Sequence, residues 1–231
     1  VPRPRIGVYR SHVPAMDEGW TRWLLDSYGW PFRPVTNEEI RRGGLNAAYD
    51  VILFPDQSPD SIHNGYRRGA MPDPYTGGLG EDGAAALGAF AEAGGTLLFL
   101  NRAANYGLAA LSLPARNVLN GVSNRDFYCP GSLLNVELRA GHPLGYGLPA
   151  AFPVWMESSP AWEGDGGVAT YPAADILASG WLLGERYLPG KSALLDVPVG
   201  RGRAILFGFR PQYRAQSYQT FKLLFNALLY R

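Results

Sequence analysis

Short, fully apolar runs alternate along this chain with stretches whose apolar residues recur every three or four positions. The clearest run is Ala204 to Phe209 (A-I-L-F-G-F), entered from Gly200-Arg201-Gly202-Arg203 and left through Arg210-Pro211-Gln212. A continuous apolar run of this length suits a strand buried on both faces, as in a parallel sheet covered by helices. Similar runs predict strands at Arg5–Tyr9, Tyr49–Phe54 and Thr96–Leu100, with a shorter one at Phe32–Val35. Between them lie helical patterns. Asp17-Glu18 open a helix that ends at Gly29, since acidic residues in a first turn complement the helix dipole. The spacing of Trp20, Trp23 and Leu24 predicts that both tryptophans face the core. A short capped helix is expected at Asn37–Ile40, and Gly83–Ala93 predicts a longer one closed by Gly94-Gly95. Another helix should begin after Asn101-Arg102, and the chain closes on one over about Ala215–Tyr230, with Phe221, Leu224, Phe225 and Leu228 on one face. Strand and helix in alternation with short joins imply parallel crossovers, hence an α/β, doubly wound, flavodoxin-like, mostly parallel sheet.

Residues 112–192 break that rhythm. Leu133–Leu138 alternates as a half-exposed strand, and Phe152–Met156, Val168–Tyr171, Asp175–Ala178 and Trp181-Leu182 read as further short strands. This region is expected to add an antiparallel extension along one sheet edge, and Ala193–Val199 to pair with Ala204–Phe209 as a hairpin. The whole chain, 1–231, reads as a single domain with an inserted or extended region at about 112–192. Pro55 to Gly80 is a long Gly-, Pro-, Asp- and Asn-rich loop, of a length associated with function or mobility.

Composition narrows the functional classes. A net charge of +1 provides no global field for nucleic acid or an anionic membrane. The longest apolar runs are strand length, so no membrane span is expected. Cys129 is the single cysteine, which excludes an intramolecular disulfide and a Cys-rich metal site. His12, His63 and His142 fall in three different loops without H-x-x-E or H-E-x-x-H spacing, so no metal and no other cofactor is expected. Gly77-Gly78-Leu79-Gly80 precedes a helix but follows no strand, which makes it a flexible loop rather than a phosphate cradle. The chain starts Val1-Pro2-Arg3-Pro4 without an initiator Met, which reads as a cut at a Pro-rich linker or a processed product.

Chemistry should gather where the strands end. Those exits carry Arg10 and Ser11, Asp56 and Gln57, Asn101 and Arg102, and Arg210 and Gln212. Arg10, Ser11, Asp56, Asn101, Arg102, Arg210 and Gln212 are therefore the candidate ligand-binding residues, with no catalytic set among them. Converging arginines would favour a small carboxylate or a peptide terminus. The competing reading is an internal ion-pair network with Asp17, Glu18 and Asp56. The sharp turn after Thr96–Leu100 has the layout of a nucleophile elbow, but neither Asn101 nor Arg102 can serve as an acyl-transfer nucleophile. Cys129, in F-Y-C-P-G, opens no helix and reads as a buried or incidental thiol.

The stretches A-G-G-T-L-L-F-L (Ala93–Leu100), H-P-L-G-Y-G-L-P (His142–Pro149) and G-R-G-R-A-I-L-F-G-F-R-P-Q (Gly200–Gln212) together resemble the class I glutamine amidotransferase-like fold. The resemblance spans most of the chain, apart from residues 112–130 and 157–190. Active members of that family carry a Cys at the elbow and H-P-E after the late strand. Here the elbow presents Asn101-Arg102, and the H-P-E positions read Arg210-Pro211-Gln212. The resemblance thus implies the fold and argues against the activity. More narrowly, Phe207–Leu228 with H-P-L-G-Y-G-L-P resembles the C-terminal domain attached to certain bacterial zinc carboxypeptidases of the carboxypeptidase A family. That resemblance implies a non-catalytic accessory domain of a larger exported protein, periplasmic or extracellular, whose zinc motif lies upstream. The expected partners are the upstream catalytic domain of the same polypeptide or, by analogy with Cys-less amidotransferase-like domains that act as oligomerisation modules in glycosidases, a second copy. Exposed aromatics among Tyr66, Tyr75, Trp155, Trp162, Trp181 and Tyr187 would supply interface anchors. The alternative is an active amidotransferase-like hydrolase using Cys129.

Overall fold

The computed structural model describes residues 3–230, so Val1 and Pro2 of the Pro-rich start lie outside it. Five strands run parallel in the order β2 (Phe32–Val35), β1 (Ile6–Tyr9), β3 (Val51–Phe54), β4 (Thr96–Leu100) and β12 (Gly202–Phe207). The chain leaves β1 to one side for β2 and then builds out on the other side through β3 and β4. This is a doubly wound α/β sheet with its switch point between β1 and β3.

Why the apolar runs become central strands follows from their alternation. Val51 and Leu53 of β3, Leu98 and Leu100 of β4, and Ile205 and Phe207 of β12 enter one hydrophobic core. Ile52 and Phe54, Leu97 and Phe99, and Ala204 and Leu206 enter the other. The first core is covered by α1 (Met16–Ser27) and α6 (Tyr218–Leu229), through Leu24, Leu25, Phe221, Leu224 and Leu228. The second is covered by α2 (Asn37–Arg42), α3 (Pro59–His63), α4 (Gly80–Glu92) and α5 (Ala103–Ala110). Both faces of each strand bury apolar area, at roughly 25 cal/mol per Å², and no solvated face calls for polar alternation.

Beyond β12 the sheet turns antiparallel. β11 (Ser192–Val199) pairs with β12 as the predicted hairpin. Gly200, in the two-residue turn, has φ +57°, and a Cβ there would lie 2.6 Å from Glu92 Cα. The extension continues through β9 (Gly167–Thr170), β6 (Ser132–Leu138) and β10 (Leu177–Ser179), with β7 (Ala151–Met156) on β6. β8 (Trp162–Gly164) joins β11 to β5 (Ala115–Asn117). Two details of this extension differ from expectation, and α3 (Pro59–His63) interrupts the stretch from Pro55 to Gly80 that the sequence predicts as loop. Trp181-Leu182 forms no strand; Tyr128 instead pairs with Leu183 in an isolated bridge. Trp162, a candidate interface anchor, is fully buried in the core.

Helix α1 also sits differently from its sequence pattern. Trp23 is 43% exposed and packs edge-on against Trp20 at a centroid distance of 6.2 Å. Asp17, Thr21, Leu24 and Leu25 face inward instead. The polar pair Asp17 and Thr21 takes the inner face because it meets Arg210 and Gln212 arriving from β12.

Candidate functional site

The parallel strands deliver their exits to one edge of the sheet, and there the side chains meet. Asp56 leaves β3, Asn101 and Arg102 leave β4, Glu157 leaves β7, and Arg210 follows β12. Asp56 is the hub. Its Oδ1 accepts from Asn101 Nδ2 (3.0 Å), the Arg102 backbone N–H (3.0 Å) and Arg102 Nε (2.9 Å). Its Oδ2 accepts from Arg102 Nη2 (2.7 Å) and Arg210 Nη2 (2.8 Å). Arg210 Nη1 donates to Glu157 Oε2 (3.0 Å), and its Nε lies 3.5 Å from Asp17 Oδ2. Trp155 Nε1 holds the same Glu157 oxygen at 3.3 Å.

Each end of the Arg210 guanidinium is thus answered by a carboxylate of the protein itself, and the network carries three carboxylates against two guanidiniums. An incoming carboxylate would have to displace one of them at a net-negative site. The geometry is that of the internal ion-pair network rather than of arginines free to take an anion.

The electrostatics follow from burial and partners. Burial alone would raise the Asp56 carboxyl, but the Arg102 hydrogen bonds and the two guanidinium charges overcome it and hold it below its ordinary value. Among the described residues, Asp17 has only the longer Arg210 ion pair, at 3.5 Å. Burial dominates there and, with the Asp56 charge, outweighs Arg210, pushing the Asp17 carboxyl up to about 6. Protonation of Asp17 would bring the network to charge balance. Asp17 Oδ2 and Arg210 Nε have no hydrogen-bond partner among the described residues.

Asn101 occupies the elbow. Its φ is +53°, in the left-handed region that a non-glycine residue adopts at a cost. The elbow is held by its neighbours. Asn101 N–H donates to Phe207 O at 2.7 Å, its Nδ2 donates to Asp56 and to Glu157 O, and its Oδ1 accepts from Ser159 Oγ at 2.5 Å. The side chain is fully buried, with every polar atom satisfied inside the protein.

Other predicted residues lie apart from the network. Gln212 Nε2 donates to Thr21 Oγ1 at 2.9 Å on α1. Arg10 and Ser11 line a separate 220 Å³ pocket with Gln57 and Glu18, at the β1/β3 switch point. Cys129 is buried and lines a different, 500 Å³ cleft beside Glu157. Burial raises its thiol above the ordinary value, which disfavours the thiolate. The three histidines are engaged elsewhere, with Glu38, Glu81 and Asp196. Among the described residues, no group of three or more His, Cys, Asp or Glu side chains could hold a metal ion, and no helix is long and apolar enough to cross a membrane.

Sequence reasoning missed Glu157, Trp155 and Ser159 as members of the site. The same strand-exit logic applied to M-E-S-S-P after β7 would have found Glu157.

This architecture is shared with known proteins although sequence comparison finds none: no protein-family profile and no curated protein matches the chain. Among solved structures, it is similar to a ThuA-like protein from Bacteroides uniformis (15% identity, TM-score 0.55, 98% of this chain and 90% of that one). It is similar to PurLQS from Thermotoga maritima (16%, 0.55, 99% and 98%). It is also similar to a β-galactosidase from Bacillus circulans sp. alkalophilus (13%, 0.59), where the match covers 96% of this chain but 30% of that one. The chain has a glutamine amidotransferase-like, flavodoxin-like α/β fold.

Proposed function

We infer that this domain is a non-catalytic accessory module of a larger protein and works by docking or binding rather than by bond-making. The observation that carries this reading is the elbow. Its side chain is an amide consumed by Asp56, Glu157 and Ser159, and the guanidinium after β12 is always protonated and cannot act as a general base. The ion-pair network ties β3, β4, β7, β12 and α1 together at the edge where a catalytic site would otherwise stand. That a fold of this kind covers only 30% of a β-galactosidase chain supports an accessory role by analogy. The resemblance to the domain attached to zinc carboxypeptidases supplies the parent in this reading, an exported zinc carboxypeptidase-like protein. Trp181 and Tyr75, exposed by 63% and 52%, are the available anchors among those read from the sequence.

Sedimentation velocity on the domain alone and mixed with the catalytic domain of its parent tests the proposal. Association in either case is expected; a strict monomer that also ignores its parent would sink the docking role. The runner-up, a hydrolase using Cys129, predicts glutaminase activity abolished in Cys129→Ser and a thiol that outpaces free cysteine with iodoacetamide. Its raised thiol predicts slower alkylation instead.

A further inference from the structure

Beside the ion-pair network, and sharing Glu157 with it, lies the 500 Å³ cleft. Its walls are the loop after β5, the first turns of α5 and the exit of β7, and its volume falls in the range of small-molecule sites. We propose that this cleft binds a neutral, polyhydroxylated ligand of the mono- or disaccharide class.

The chemistry of the wall carries the inference. Asn105, Asn117, Asn120 and Asn124 line the cleft, next to Ser158. Asn117 is committed: its Nδ2 donates to Asn105 Oδ1 at 3.1 Å and its Oδ1 accepts from Leu119 N–H. Among the described residues, Asn105 Nδ2, both polar ends of Asn120 and Asn124, and the Ser158 hydroxyl have no partner in the protein. An amide offers donors and an acceptor side by side, the complement of a hydroxyl that both donates and accepts.

Charge disfavours ionic ligands. Glu157 is the one charged side chain lining the cleft among the described residues, so an anion finds no cation there. The Glu157 carboxylate is engaged through Oε2 by Arg210 and Trp155, which weakens its pull on a cation. Its Oε1 has no partner among the described residues and can accept from a hydroxyl. Phe127 and Tyr128 also line the cleft, and aromatic rings are apolar surfaces suited to the C–H side of a sugar ring.

The wall is also preorganised. Val118 N–H donates to Ala161 O at 2.8 Å, Tyr128 is clamped to Leu183 by two backbone hydrogen bonds, and Phe127 N–H donates to Ser123 O. Ser158 is held at φ +53°, a strained conformation of the kind that clusters at binding sites. Binding here is independent of whether the domain docks on a partner.

The test is an NMR titration of the side-chain amides with glucose, maltose and lactose, with gluconate as the anionic control. Saturable shifts at Asn105 and Asn120 are expected with at least one neutral sugar. Gluconate should bind at least tenfold more weakly than glucose. The double variant Asn120→Ala/Asn124→Ala changes two exposed side chains and should keep its fold by circular dichroism while losing affinity at least tenfold. Absence of saturable binding by every neutral sugar, equal binding of gluconate, or unchanged affinity in the folded double variant would each overturn the proposal.

Discussion

Replacing Arg210 by Ala separates an arginine that holds the fold from one that waits for a ligand. In the wild type its guanidinium is largely buried between Asp56, Glu157 and Asp17. Its removal leaves a net charge of about −2 among three carboxylates and Arg102. Breaking a buried ion pair by deleting one partner costs roughly 3–5 kcal/mol, because the remaining charge stays desolvated and unpaired. For a domain of this size that corresponds to a fall of ~6–20 °C in Tm. The cost should depend on pH with a definite sign. Arg210 lowers the carboxyls of Asp56 and Asp17 in the folded state, so its loss raises them relative to the unfolded chain. Asp17, raised further, loses stability as pH rises through its folded value, and Asp56, less depressed, gives back part of the stability it holds above its unfolded value. The deficit of the variant should therefore be largest near pH 8 and shrink towards pH 4. Urea unfolding of wild type and variant at several pH values measures both. A deficit below ~1 kcal/mol that is flat with pH would refute the account and return Arg210 to the role of a free anion-binding group.

Two further outcomes are expected. Asp17, with its carboxyl at about 6 against an ordinary 3.8, lowers stability at neutral pH by up to about 3 kcal/mol relative to acid. Asp17→Asn should thus flatten the pH dependence between pH 4 and 6 and leave the protein no less stable at pH 7.5; an unchanged slope in urea unfolding would contradict the assignment. Gly107 lies where α5 crosses β4, and a Cβ there would meet Phe99 Cδ2 at 2.5 Å. Gly107→Ala should cost ~1–3 kcal/mol by overpacking despite its better helix propensity, and a gain in Tm would show that the helix shifts freely.

Much of the scaffold was legible because it rests on local pattern. Continuous apolar runs marked β3, β4 and β12, the glycine-led turn marked the β11–β12 hairpin, and the breakdown of rhythm after Ser112 marked the antiparallel half. Strand exits also pointed to Asp56, Asn101, Arg102 and Arg210 as neighbours, since parallel strands must end on one edge.

What tertiary structure decided is which groups answer one another. Arg210 meets Asp56 across 154 positions of sequence and Glu157 across 53, and no spacing rule relates residues on separate strands. Helical periodicity placed Trp23 inward, yet Asp17 and Thr21 hold that face because the buried polar groups that follow β12, Arg210 and Gln212, require partners more strongly than a surface tryptophan requires cover. The strand-end arginines look like a ligand site in the sequence because their charges are visible there. The carboxylates that consume those charges lie on α1 and just past the ends of β3 and β7, and only the folded sheet brings them within hydrogen-bond reach.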